Sequence, residues 1–551
     1  MTQIESPPDV DRKSVDELIE WIKNENFYLP SFQRRFVWDS DDIKDFVDSI
    51  LEGFPVGVII LWRPSNIQKV DRFSKPLLGN FSGERGYLIL DGQQRLTAFL
   101  LMFNKWKIQR GNETISVQGL TYNPNNNRVT IGGSGVDLSV ILRAFSGDID
   151  AYDYLMSNYR HRMDKLREIA YKIKNYRLPI YIIKTRNESD DVSAKMTEAF
   201  IRINREGVRI GTLELMLSYL GGQLGGYLVD KIRNMHDNFE NEIGLELQAL
   251  LRFVFSNMGI KPTEVDPKKF EAVIKKKKLK SKEKELLETL NKSEKALKVL
   301  VDLLKEHFGI KSLEILPSQI TLVPIAKFLY EAGVADLANL SDKELKNIEK
   351  WFVLANFGGY YSSQTNTKLQ RDLELIKNSS SFPVDELLKN MKQKRVKTTI
   401  SYKDLEIGLH TNVLLKAGRN YLFLLYLLLV KNEADNWVGK LIKMCEFSSL
   451  AKHHIFPREF LKKKMSFETS EDERIKINNL GNITFIDLQE NIRIDAKDPK
   501  EYLSNYEAEM LERHFIPVEK DLWDLERYDH FLEERVALIY EAGKRFYNFF
   551  K

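Results

Sequence analysis

At 551 residues the chain exceeds the size at which one hydrophobic core keeps growing, which predicts roughly two to four domains. Apolar residues make up 43% and charged residues 29%, the balance of a globular protein, and a net charge of +4 is too small to name a partner. One cysteine, Cys445, excludes an internal disulfide framework and any clustered-cysteine zinc site. The most apolar glycine-rich run, "SYLGGQLGGYLV", is too short to cross a bilayer, and "MTQIESPPDVDRKS" lacks the basic-then-apolar pattern of a secretory signal. A cytoplasmic protein without a membrane partner is expected.

In chain order, "VDELIEWIKNENFYL" (Val15–Leu29) carries apolar residues at helical spacing up to Pro30. "SDDIKDFVDSILEG" predicts a helix capped by Ser40 and closed by Gly53. "VGVIILWRP" (Val56–Pro64) is short and β-branched, a predicted strand. In "GYLILDGQQRLTAFLLMF", Tyr87–Leu90 predicts a strand, Asp91–Gly92 a turn, and Gln94 onward a helix. "YRLPIYIIKT" (Tyr176–Thr185) predicts another strand, followed by helices in "VSAKMTEAFIRIN" and "REGVRIGTLELMLSYL". From about 216 to 440 strand signals fade and amphipathic helical segments follow one another. Concentrated cations in "DPKKFEAVIKKKKLKSKEKE" and "NMKQKRVK" suit either a solvated face or a phosphate backbone. The corner "FGGYYSSQTNTKLQRDLELI" suits a DNA-facing surface or a tight helix–helix turn. Residues 441–500 bring paired histidines, asparagines and the β-like run "GNITFI", and the tail to 551 returns to helix.

Two constellations carry chemistry. In "ILDGQQRLTAF", a strand ending in Asp–Gly runs into a helix opened by Gln–Gln–Arg. Free amides at a helix N-terminus and a guanidinium favour phosphate or carboxylate. Asp91 could accept a ribose hydroxyl bond, help hold magnesium, or simply pair with Arg95 across the turn. Upstream, Gln33, Arg34 and Arg35 stand between a proline and Val37–Trp38 in "LPSFQRRFVW". Spacing alone does not bring the two segments together.

The second runs from "KHHIFP" to "NLGNITFIDLQENIR". Phosphodiester hydrolysis needs a base near neutral pKa to take a proton from water, and a cation to stabilise the phosphate. A hairpin bearing histidine, followed by a helix bearing a second ligand, delivers both. His453 and His454, the strand near Ile483–Ile486, and Asn491 stand in that order. The histidines at 161, 236, 307, 410, 514 and 530 lack local ligand spacing and are read as structural.

"LPSFQRRFVW", "ILDGQQRLTAF" and "AFIRINREGVRIGTLEL", in this order over about 15–220, resemble the N-terminal domain of the GmrSD family of modification-dependent restriction systems. The resemblance implies a ParB/sulfiredoxin-like domain that binds and hydrolyses nucleoside triphosphate and gates a nuclease. Asp91, Gly92, Gln93, Gln94 and Arg95 would line its nucleotide site, with Gln33 and Arg34 facing them and Asn204 and Gly207 shaping the cleft. No Walker-type phosphate loop is present, so the nucleotide chemistry differs from that of a P-loop ATPase. The C-terminal segments resemble an HNH nuclease of the ββα-metal class. That implies His454 as general base, His453 and Asn491 as metal ligands, and Asn482, with Asn479 as competing choice, as the catalytic-site asparagine that braces the hairpin and orients the base. His453 stands where many members carry an acid, which shifts the donor set from pure magnesium preference toward manganese, nickel or zinc.

The expected architecture is multidomain α+β: a ParB/sulfiredoxin-like nucleotide-binding domain (1–215), a helical middle (216–440), an HNH module (441–500) and a helical tail (501–551). The expected function is an antiphage DNA endonuclease using a divalent metal, Mg2+ or Mn2+ first, under nucleoside triphosphate control. Its expected partner is double-stranded DNA, modified phage DNA included by resemblance, and a homo-oligomer is allowed. The rivals are a non-specific nickase or RNase toxin using the same site, and a nucleotide-dependent DNA-binding regulator.

Overall fold

A computed structural model describes residues 8–30, 36–67, 74–80, 84–111, 113–133, 135–185, 217, 220, 226–265 and 270–551. The chain is mixed α+β and divides into two compact units, Met1–Lys231 with Asp266–Glu283, and Ile232–Val265 with Lys284–Lys551. The sequence elements at 31–35 and 186–216, with Gln33, Arg34, Asn204 and Gly207, lie outside the described residues.

The first unit is built on a six-stranded mixed sheet of β1 (Asp9–Ser14), β2 (Phe27–Leu29), β3 (Ile59–Arg63), β4 (Lys75–Pro76), β5 (Tyr87–Asp91) and β6 (Arg177–Lys184). Its order is β1-β6-β3-β5-β2-β4. The β6–β3 and β5–β2 pairs are parallel, the others antiparallel. Helix α1 (Val15–Asn24) stops short of the expected Leu29, because Phe27–Leu29 pairs with β5 as a strand. That pairing buries three consecutive side chains. In α2 (Ser40–Glu52) the cap is Asp39 rather than Ser40; its carboxylate accepts the Asp42 N–H, and Gly53 closes the helix at φ 80°. Helix α3 (Gln93–Phe103) begins one residue earlier than expected and is buried on nearly all sides, the mark of a central helix.

The second unit is helical apart from one antiparallel strand pair, a long hairpin whose connection, residues 455–482, itself holds the helices Arg458–Lys464 and Ser470–Ile477. The corner after α4 (Asp342–Phe357) turns on Gly359 at φ 58°. Tyr361 donates its hydroxyl to buried Asp372 on α5 (Thr365–Lys377) at 2.7 Å, and Asn390 on α6 (Val384–Gln393) donates to the same carboxylate at 2.8 Å. This is a helix–helix corner, and burial pushes the Asp372 pKa up to about 6. The buried stretch of α7 (Arg419–Lys431) sets Phe423 edge-to-face against Phe352 of α4 and Tyr426 edge-to-face against Phe485 of the hairpin, at 5.4 and 5.2 Å between ring centroids.

The hairpin strands are β7 (Leu450–His454) and β8 (Ile483–Asp487), with His453 opposite Thr484 and His454 opposite Ile483. Helix α8 (Leu488–Ile494) follows directly. One apolar core, from Trp437 through Ile455 and Phe456 to Phe531 and Leu532 of α9 (Tyr528–Phe546), joins the hairpin segment to the tail. Fully buried Arg535 of α9 donates to the carbonyls of Leu480 and Gly481 at 3.2 and 2.9 Å and to that of His514 at 3.2 Å. It has no carboxylate partner among the described residues, and burial lowers its pKa to about 9. Replacing Arg535 by Met should therefore destabilise this unit by about 3 kcal/mol, since charged hydrogen bonds to buried carbonyls are lost. Urea unfolding checks this, and an unchanged midpoint would show that the guanidinium does not hold the loop.

Candidate active site

In the first unit β5 ends at Asp91, opposite Ile60 of β3, and Gly92 turns into α3 at φ 95°. A Cβ at Gly92 would fall 2.6 Å from the Ile59 side chain, so glycine is required both by backbone and by space. The Arg95 guanidinium lies against Gly57, donates to the Val58 carbonyl, and approaches the Asp91 carboxylate at 3.3 Å. Asp91 and Arg95 thus form the turn-closing ion pair that the residues alone allowed. Gln94 Oε1 accepts the Val37 N–H at 3.0 Å, so the structure brings "FVW" of the upstream motif onto the DGQQR turn. Gln93 is 3% exposed, and neither atom of its side-chain amide has a hydrogen-bond partner among the described residues.

In the second unit adjacent residues of β7 point to opposite faces, as strand geometry demands. His453 enters the core, 2% exposed, beneath Trp437 at 5.4 Å between rings. Its Nδ1 lies 2.8 Å from Asn491 Oδ1 on α8 and its Nε2 3.1 Å from the Tyr502 hydroxyl. Burial lowers its pKa to about 4, outweighing the contact with Asn491. His454 faces the other way, and its Nε2 lies 2.8 Å from Asn478 Oδ1. Burial lowers its pKa as well, so both imidazoles are neutral near pH 7.

Asn482 is fully buried and fully bonded. Its amide donates to the Phe456 and Ile477 carbonyls at 3.1 and 2.9 Å, and its Oδ1 accepts the Phe456 N–H at 2.7 Å. It braces the chain two residues past His454 but, contrary to expectation, does not orient the imidazole, which Asn478 holds instead. Asn479, the competing choice, donates to the Lys476 carbonyl at 2.6 Å. The structure therefore brings His453 to Asn491 and leaves His454 with a different partner. Asn478 and Tyr502 went unremarked in the sequence. The first stands in a run of asparagines that could have drawn notice, whereas the second sits in "PKEYLSNYEAE" with no local signal.

Neighbouring groups are committed. Glu490, beside Asn491, binds Arg493 at 2.8 Å. His514 takes Thr484 Oγ1 on Nδ1 and the Asp435 carbonyl on Nε2, both at 2.7 Å, which is a structural role. The one group of three His, Cys, Asp or Glu side chains placed to share an ion among the described residues lies elsewhere, at His236, Asp237 and Glu240. There His236 Nδ1 lies 3.4 Å from Glu240 one helical turn on, an ordinary ion-pair spacing.

The strand pair thus carries the two adjacent histidines, and the helix that follows it at once carries Asn491. Comparison with known proteins supplies the class: residues 15–221 match the family described as "GmrSD restriction endonuclease, N-terminal domain", and residues 404–532 match "GmrSD restriction endonucleases, C-terminal domain". The chain belongs to the GmrSD restriction endonuclease family. The C-terminal match spans α7, the hairpin and the start of α9, the elements that share its packing. The chain is also similar, at 23% identity over 96% of its length and 98% of the other's, to the uncharacterized protein MJ0686 of Methanocaldococcus jannaschii. Restriction endonucleases act on DNA, so DNA is the substrate class the family implies. Among the described residues no helix is long and apolar enough to cross a membrane.

Burial holds the His514 pKa at about 3, below the value of about 6.5 for an unfolded histidine. Between those values the unfolded chain binds a proton that the folded chain refuses, so this contribution to stability is whole above about pH 6.5 and fades as pH falls toward 3. Changing His514 to Gln should lower stability at pH 7.5 and flatten its decline between about pH 6.5 and 4. Urea midpoints measured across that range decide it; an unaltered slope would remove His514 as a source of acid lability.

Proposed function

We propose that the chain is a metal-dependent DNA endonuclease of the HNH type, regulated by nucleoside triphosphate bound in its first unit. The observation that carries this reading is the strand–strand–helix placement that sets His453 Nδ1 2.8 Å from Asn491 Oδ1, with His454 next to it on a separate partner. An imidazole nitrogen and an amide oxygen at that spacing suit Mn2+, Ni2+, Zn2+ or Mg2+, the softer ions favoured by nitrogen. His453 and Asn491 would hold the ion, which when bound supplies Lewis-acid stabilisation of charge on the phosphate. Asn478 Oδ1 accepts the Nε2 proton of His454, so Nδ1 keeps its lone pair and takes the proton of the attacking water. Asn482 keeps this geometry by bracing Phe456.

In the first unit, the unpartnered amide of Gln93 at the start of α3 supports a ligand site, since such a group, left unsatisfied, costs about 1–3 kcal/mol. Helix N-terminal amides supply the anion-binding character that a triphosphate needs, while Arg95, bonded to Asp91 and Val58, holds the turn that presents them. Modified phage DNA is the proposed substrate, read on a ParB/sulfiredoxin-like and HNH architecture, in the cytoplasm.

Cleavage of plain, methylated and glucosylated DNA, with Mg2+ or Mn2+ and with or without each nucleoside triphosphate, tests the reading. His454→Ala should lower the cleavage rate by about 10²–10⁴-fold. Equal cleavage by wild type and variant would sink the assignment of the base. Gln93→Leu, which keeps the shape and removes the amide, should weaken triphosphate binding about tenfold or more without loss of stability. Unchanged affinity in equilibrium titration would mean that Gln93 is merely a buried amide.

A further inference from the structure

The contacts around His453 determine more than its position. The Tyr502 hydroxyl lies 2.6 Å from the Ile455 carbonyl oxygen and 3.1 Å from His453 Nε2. A carbonyl can only accept, and a phenol has one proton. That proton lies in the shorter contact with Ile455, because two oxygen lone pairs could not otherwise approach so closely. Toward Nε2 the phenol then has only lone pairs to offer, so the imidazole donates from Nε2. A neutral imidazole has a single proton, which leaves Nδ1 with a lone pair directed at Asn491. Asn491 presents Oδ1, another acceptor, at 2.8 Å. Two acceptors facing each other across that gap share no proton, whereas two ligands of one divalent ion, each about 2.1 Å from it, stand roughly 3 Å apart.

We infer that Tyr502 is a positioning residue that sets the tautomer of His453, presenting Nδ1 together with Asn491 Oδ1 as a ready donor pair for a divalent cation. This rests on the nuclease reading of the same site. Tyr502 lies in the short helix Pro499–Leu503, outside the segments that bear the histidines and asparagines, and reaches the site through the shared core. Metal-bound histidines donate their second nitrogen to an outer partner in this way, which fixes ring orientation and raises ligand basicity. Turning the Asn491 amide end for end would let Nδ2 donate to Nδ1 and would leave the tautomer unchanged.

The test uses the full chain and two readouts. Nitrogen-15 shifts of the imidazoles, with His453 assigned by comparison with His453→Gln, report the tautomer without added metal. Titration with Mn2+ in the absence of DNA reports affinity. Wild type should show His453 protonated at Nε2; Tyr502→Phe should lose that preference and bind Mn2+ about 10–100-fold more weakly. Protonation at Nδ1 in wild type, or wild-type Mn2+ affinity in Tyr502→Phe, would overturn the inference. Nε2 protonation in a wild type that binds no Mn2+ would sink the nuclease reading, and the donor pair with it, while leaving the tautomer assignment standing. If Tyr502→Phe fails to fold, the wild-type shifts alone still decide the tautomer.

Discussion

The C-terminal site depends on one buried asparagine. Asn482 spends both side-chain donors and an oxygen lone pair on the backbone of Phe456 and Ile477, while its own carbonyl accepts the Ile455 N–H at 2.9 Å. Those contacts tie the end of β7 to the start of β8 and fix where His454 leaves the sheet. Arg535 secures the same turn from behind by holding the carbonyls of Leu480 and Gly481. A buried amide or guanidinium that lost such partners would cost about 1–3 kcal/mol each, so the turn has little freedom to drift.

From this brace the division of labour between the histidines follows. Strand alternation sends neighbours to opposite faces, so one turn in the chain cannot give them a common partner. His453 meets Asn491 and Tyr502 in the core, and His454 meets Asn478 at the rim. Both are neutral because burial disfavours the charged ring. A neutral imidazole has one lone pair to give, and the outer contacts decide which nitrogen gives it. The ion-free nitrogen chemistry of both residues is therefore set by groups that lie outside the histidine pair itself.

The first unit shows the same economy at its strand–helix junction. Gly92 allows the left-handed turn, Gly57 lets the Arg95 guanidinium lie flat against backbone, and Gln94 reaches Val37 to draw the upstream motif onto the turn. A polar junction so tightly bonded leaves Gln93 as the exception, and an exception of that kind directs attention to ligand binding.

Much of this was legible without coordinates. The β5–turn–α3 junction, the cap at Gly53, the helix α7 and the short strand at "GNITFI" all follow from local patterns, because propensity and periodicity act within a few residues; that α7 is buried all round rather than amphipathic does not. The order of histidines and asparagines likewise pointed to a hairpin followed by a helix. Local pattern misled where pairing at a distance competed with it, since Phe27–Leu29 continues a helical rhythm but joins β5 as a strand; the Asp39 cap in place of Ser40 is a one-residue shift between two good local caps. Tertiary structure alone decided that Arg95 turns inward to Asp91 and Val58, that Asn478 rather than Asn482 touches His454, and that Tyr502 stands behind His453. Composition and spacing determine which residue types are present and in what order. Which lone pair faces which proton depends on side chains brought together from distant segments, and that depends on packing around a shared core.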